Sequence, residues 1–275
     1  MLPLTVWLCS DNSTRPDHDT RPSDTPAAAR TAELCARHRQ AVGHQLARHL
    51  IALGTREGDT VAEAFTTSEA TLVAAAELNR RGLAAVPHFP LAQHIGSRLR
   101  TTLTEEQLAR AGMRPCRPDQ MARGMADHLG EVGLVIAAPP PYDPGGGSPR
   151  SRERGCPACR ADMGTPSGEH LGAFLAASWK LLRPGGVLAV ITTARHQNDR
   201  LIDPAPRIIR QAQGLGFRYA QHVIALRVPV DKDSLMVQAG PTDLAELRDS
   251  RSRVLPPAVT VHADLCLFLR PGGAR

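Results

Sequence analysis

The sequence predicts an α/β fold with a mostly parallel sheet covered on both faces, and three observations predict it. Short apolar runs rich in β-branched residues, such as Leu134-Val135-Ile136 and Val187-Leu188-Ala189-Val190-Ile191, recur along the chain. Segments with helical spacing alternate with them, the pattern of repeated strand–helix units. Gly, Pro and capping-type residues punctuate the boundaries, as at Gly54, Gly82 and Arg183-Pro184-Gly185-Gly186.

The elements follow in order. Residues 10–26 are Asp, Ser, Thr, Pro and Arg with almost nothing apolar, so residues 1–26 read as a disordered or loosely attached tail. Residues 27–57 read as a helical extension, with Val42, Leu46, Leu50 and Leu53 on one face and Gly54 at its end. Residues 58–65 form a turn and a short strand. Thr66 and Glu69 have the spacing of a capping box, opening a helix that runs through Arg81 and stops at Gly82. A short strand over 83–86, helices over 91–103 and 104–111, a weak strand near 113–116, a turn at Asp119 and a helix over 121–129 come next. The apolar strand 133–138 then meets Pro139-Pro140-Pro141-Tyr142-Asp143 and the glycines 145–147. A helix over 169–182 leads to the strand 187–192, a helix over 205–214, a strand over 217–230, a short helix near 242–250 and a last strand over 258–269. The last two strands lack a long crossover, so they are expected to pair antiparallel at the end of the sheet.

Composition sets the kind of core and partner. Hydrophobic residues make up 42% of the 275 residues but aromatics only 3%, so Ala, Leu, Val and Ile must fill the interior. The net charge of +6, carried mostly by Arg, suits an anionic partner, because the guanidinium fork matches phosphate. A solvated basic surface reads equally well from the same numbers. Residues 1–7 run at once into a polar stretch and no window has the length of an uncharged membrane span. A cytoplasmic protein with reduced thiols and no membrane association is therefore expected. Of the 6 cysteines only Cys156 and Cys159 have ligand spacing, and one pair alone reads as a loop thiol pair; no metal site is expected. His222 and His262 fall in predicted strands and read as structural.

From about residue 40 onward the pieces resemble the class I S-adenosylmethionine (SAM)-dependent methyltransferases, and within them the DNA methylases that modify the exocyclic amino group of cytosine (N4) or adenine (N6). The residues that carry the resemblance are Gly58-Asp59-Thr60-Val61 with the helix at 71–76, Leu134-Val135-Ile136 running into Pro140-Pro141-Tyr142, the turn Arg183-Pro184-Gly185-Gly186, and the closing strand around His262-Ala263-Asp264. The resemblance implies a Rossmann-like methyltransferase domain over 58–275, SAM as cofactor and DNA as partner. It implies cofactor contacts at Glu63, Phe65, Thr67, Glu69 and Asp119. It implies a catalytic loop at Pro140, Pro141 and Tyr142, in which a backbone carbonyl accepts from the target amino group and the tyrosine stacks on a flipped base. Arg150, Arg152 and Arg154 just after that loop would meet phosphates, though a solvated loop accounts for them equally.

The same residues depart from the family pattern. Thr67 and Glu69 stand where the family has loop glycines, Pro87 where it has a ribose-binding acid, and Pro139 where it has a polar residue before Pro-Pro-Tyr. The sequence thus leaves open a catalytically inactive homologue that keeps the fold as a nucleic-acid- or protein-binding module.

Overall fold

A computed structural model describes residues 5–9, 42–140, 168–192, 194–197, 200–226, 230–231, 234–235 and 262–272. Its centre is an 8-stranded sheet. In chain order the strands are β1 (Thr5–Leu8), β2 (Thr60–Ala64), β3 (Arg81–Ala85), β4 (Ala111–Arg114), β5 (Val132–Ala137), β6 (Leu182–Thr192), β9 (Arg218–Leu226) and β12 (His262–Leu269). Two separate small ribbons are β7 (Arg195–Gln197) with β8 (Arg200–Ile202), and β10 (Val230–Asp231) with β11 (Ser234–Leu235). Across the sheet the order is β1-β9-β12-β6-β5-β2-β3-β4. Every pairing in the main sheet is parallel except those of β12, which runs antiparallel to both β6 and β9. The expected antiparallel last strand is therefore present, inserted between two parallel neighbours.

The helices are α1 (His44–Gly54), α2 (Ala70–Glu77), α3 (Phe89–Thr102), α4 (Glu105–Leu108), α5 (Met121–Gly124), α6 (Gly168–Leu181) and α7 (Ala205–Gly214). Alternation along β2 shows how they divide. Val61 packs with Leu46, Leu50 and Ile51 of α1 and with Ala74 and Ala75 of α2. Ala62 and Ala64 face the other way, toward Phe174 of α6 and Ile208 of α7. A third cluster joins Leu72 and Val73 of α2 to Leu91, Ile95 and Leu99 of α3. Strands buried on both faces need continuous apolar runs, which is why β5 is buried at every residue.

Several expectations change. The tail 1–26 is not loose at Thr5–Leu8: these residues add an edge strand parallel to β9, with Trp7 stacked on His49 of α1 at 6.0 Å. An alternating Thr-Val-Trp-Leu run is a good edge strand, but four residues beside a polar stretch are too few to show periodicity. α1 belongs to the sheet's own core rather than to an appended extension. Leu53 is 72% exposed and Ile51 takes the inward place. α2 starts at Ala70 with Glu69 as its N-cap and no side-chain cap, so the expected Thr66–Glu69 capping box does not form. The Thr66 hydroxyl instead donates to the Glu63 carbonyl at 3.4 Å. α2 also ends early, at Glu77. Asn79 takes the left-handed turn at φ 60°, which Asn tolerates, and Gly82 lies inside β3. The capping box expected at Thr104 is present, closed by Gln107.

Candidate functional site

The strand order reverses between β2 and β5: the chain leaves β2 toward β3 and leaves β5 toward β6. In an open α/β sheet the crevice beyond the carboxyl ends at such a reversal is where ligands bind. Glu63 and Ala64 end β2 there and residues 65–69 follow it, Val86, Pro87 and His88 follow β3, Arg114 ends β4 with Asp119 beyond it, and Pro139 and Pro140 follow β5.

Glu63 is buried, 2% exposed, at the register level of Ala84 and Ile136. Burial pushes its carboxyl up to about 8. The nearby Thr71 and Thr66 hydroxyls oppose that rise, and the Glu69 carboxylate adds to it. At neutral pH Glu63 is largely protonated, because an isolated charge in this apolar layer is costlier than a bound proton. Two residues on, Phe65 adopts φ 60°, a backbone conformation rare for a bulky side chain. Its ring is anchored in the core edge-on to Phe174 at 5.1 Å. Phe65 therefore offers the crevice its backbone rather than its ring. Thr67 is buried, and Glu69 turns outward to an ion pair with Arg98 of α3 at 3.0 Å. Asp119, on the 3₁₀ turn Pro118–Gln120, faces Arg117 at 3.5 Å and His170 of α6 at 4.0 Å.

The structure thus gathers Glu63, Thr67 and Glu69 in one loop, places Asp119 two strands away on the same edge, and puts Pro140 half-buried at the end of the adjacent β5. Pro141, Tyr142, Arg150, Arg152 and Arg154, like Cys156 and Cys159, lie outside the described residues.

Sequence reasoning missed part of this edge. Glu63 Oε2, His88 Nδ1 and Thr192 Oγ1 are buried without a hydrogen-bond partner among the described residues, and they stand at the carboxyl ends of β2, β3 and β6. Buried polar atoms are nearly always paired, by protein, water or ligand, so these three strand ends are places where a polar group can be received, although His128 Nδ1 and Gln211 Oε1 are equally unpaired away from this edge. Phe89, 72% exposed at the first turn of α3, adds an aromatic to the rim. The sequence signal was available at His88-Phe89, a polar–aromatic pair directly after a predicted strand.

The chain is similar in structure to TrmN from Thermus thermophilus, with a TM-score of 0.51 and 15% identity over 85% of this chain. The fold is that of the class I methyltransferases. The chain spans about half of TrmN, 51% of its length. A predicted O-methyltransferase from Agrobacterium tumefaciens matches at TM-score 0.47 and 15% identity, over 85% of this chain and 82% of that one. A TehB-like SAM-dependent methyltransferase from Corynebacterium glutamicum matches at TM-score 0.45 and 9% identity, over 83% and 88%. By sequence, the chain matches no family model and no curated protein.

Proposed function

We propose that this chain is a SAM-dependent methyltransferase acting on an exocyclic amino group of a nucleic-acid base, with DNA as the partner. The observation that carries the reading is the place of the proline run: Pro139 and Pro140 follow β5 at the strand-order reversal, beside the loop 63–69. A backbone carbonyl at Pro140 meets no competing side chain of its own residue and can accept from an amino group held in front of it. Pro141 and Tyr142 continue that segment in sequence, and Arg150, Arg152 and Arg154 supply charge for phosphates.

The orphaned polar atoms fit a cofactor with a polar body. SAM, when bound, supplies a methyl group on a sulfonium. Glu63 and Asp119 are the side chains that would hold it, together with the backbone of Thr67 and Glu69 and the amides opening α2, where the Glu69 side chain makes no cap and the Ser68 hydroxyl accepts from the Ala70 amide only at 3.5 Å. Calorimetric titration with SAM, followed by labelled methyl transfer to single- and double-stranded DNA, tests the reading. Absence of binding at millimolar SAM would sink it.

A specific observation also favours a second reading, a non-catalytic homologue that binds nucleic acid or protein. Thr67 is buried and Glu69 is drawn into the Arg98 ion pair, so side chains occupy both loop positions that the resembling family keeps as glycine. Salt-sensitive DNA binding without methyl transfer would distinguish this reading from the first.

A further inference from the structure

On the α7 face of the sheet, polar side chains break an otherwise apolar surface. Thr192, Asp264 and Ile224 are aligned across β6, β12 and β9, in register with Val6 of β1. The next level toward the carboxyl edge holds His262, Leu226 and Leu8. His222 lies one level back and reaches Asp264 diagonally, Nε2 to Oδ1 at 2.9 Å. His262 approaches the other carboxylate oxygen, Nε2 to Oδ2 at 4.0 Å. Asp264 therefore orients the His222 imidazole through a hydrogen bond, and the His262 imidazole lies beside the same carboxylate. Thr192 is 4% exposed, and its hydroxyl, on the same face at Asp264's level, has no partner among the described residues.

The position matters as much as the composition. Ala137 of β5 pairs with Val190 of β6, so Pro139 and Thr192 lie two residues further along neighbouring strands. With strands about 4.8 Å apart, Thr192 is one strand and Asp264 two strands, roughly 10 Å, from the proline run. Val6 and Leu8, 53% and 60% exposed, extend the patch with open aliphatic surface. No group of three His, Cys, Asp or Glu side chains among the described residues is arranged to hold a metal ion.

We infer that Thr192, His222, Asp264 and His262 form an acceptor subsite for a heteroaromatic ring bearing an exocyclic amino group. The subsite deepens the methyltransferase reading and rests on it for its purpose. An amino group is a donor, and Asp264 together with the free Thr192 hydroxyl supplies acceptors. The ring face is apolar, and the aliphatic side chains of β9 and β1 supply a surface for it. The His222 imidazole, held by Asp264, and the neighbouring His262 meet ring nitrogens and carbonyls.

The test is an NMR titration that follows the His222 and His262 imidazole signals while cytidine or adenosine is added, with uridine and inosine, which lack the amino group, as controls. Both signals are expected to move, with at least tenfold tighter half-saturation for the amino nucleosides. Asp264→Asn is expected to weaken the response about tenfold; Thr192→Val, which keeps a β-branched strand residue, does the same in a variant less disruptive to the fold. Signals that stay still, or that answer uridine and inosine equally, overturn the subsite. SAM titration separates the two readings. A chain that moves these signals but does not bind SAM keeps the subsite and loses the methyltransferase reading. One that transfers methyl while they stay still keeps the activity and loses the subsite.

Discussion

Arg183 grips Asp59 with both terminal nitrogens, Nη1 to Oδ1 and Nη2 to Oδ2, each at 2.7 Å. The pair ties the turn before β2 to the turn within β6 across 124 positions of sequence, at the end of the sheet opposite the candidate site. Two parallel N–H···O bonds fix geometry as well as charge. The Arg183 guanidinium holds the Asp59 carboxyl below its ordinary value, helped by the Arg56 amide and opposed by burial.

Asp59→Asn tests this tie through acid stability. A depressed folded-state pKa contributes stability that is present above the unfolded value, near 3.8, and is lost as pH falls through the lower folded value. Denaturant melts at pH 7 should show the variant about 1–2 kcal/mol less stable, since Arg183 is partly exposed and the pair is solvent-screened. Below pH 4 the gap between wild type and variant should close. A gap that stays constant with pH would show that the pair does not carry it.

Glu63 has the opposite sign. Its folded-state pKa, about 8, lies above its ordinary value of 4.5. Stability is therefore full below about 4.5 and is lost as pH rises through 8, because the folded chain must give up a proton that burial favours. Each unit of displacement corresponds to about 1.4 kcal/mol, so the loss is a few kcal/mol by order of magnitude. Glu63→Gln keeps the shape and removes the titration. Thermal melts at pH 5 and pH 8.5 should fall for wild type and barely change for the variant. Equal slopes would place the titration elsewhere.

Those two acids also mark what the sequence could and could not reveal. Strands buried on both faces announce themselves, since Leu134-Val135-Ile136 and Val187-Leu188-Ala189-Val190 need no partner to be recognised. β1 did not, because Thr5–Leu8 become a strand only once Val223-Ile224-Ala225-Leu226 offers an edge. Local chemistry misled at Thr66 and Glu69: the spacing of a capping box was there, but Arg98, 29 residues away, drew the Glu69 carboxylate outward. Glu63 and Asp119 were named from motif position, and their settings depend on packing from distant elements. The His222–Asp264–His262 cluster was invisible for the same reason, since only the antiparallel register of β12 against β9 brings residues 42 apart within hydrogen-bond distance.

Gly82 shows how closely α2 lies on β3. A Cβ there would meet Leu72 Cδ2 at 2.9 Å and Ala75 Cβ at 3.3 Å. Gly82→Ala should cost about 1–3 kcal/mol by overpacking, although alanine suits a strand better than glycine does. Leu72→Ala alone should also destabilise, by opening a cavity. The double variant should be more stable than the two costs predict, because each change relieves the other. Denaturation of all four proteins closes the cycle, and strict additivity would mean that α2 shifts rather than clashes.

The last prediction concerns the loop that decides between the two functional readings. Neither Thr67 nor Glu69 is among the described non-glycine residues at positive φ, which are Phe65 and Asn79. Backbone conformation therefore does not require glycine at 67 or 69; only the volume and charge of the side chains distinguish this loop from a glycine one. Replacing both by glycine removes two Cβ atoms and a carboxylate from the opening of α2, and a glycine N-cap is well tolerated at position 69. If those side chains limit cofactor access, Thr67→Gly with Glu69→Gly should raise SAM affinity at least tenfold in calorimetric titration. Glu69→Gln, which keeps the length and loses the charge, separates crowding from repulsion: an affinity gain shared by this variant would assign the effect to the carboxylate. The melting temperature should fall by a few degrees, from the lost Arg98 ion pair and the freer loop. SAM affinity unchanged in the double variant would show that Thr67 and Glu69 are not what controls cofactor access.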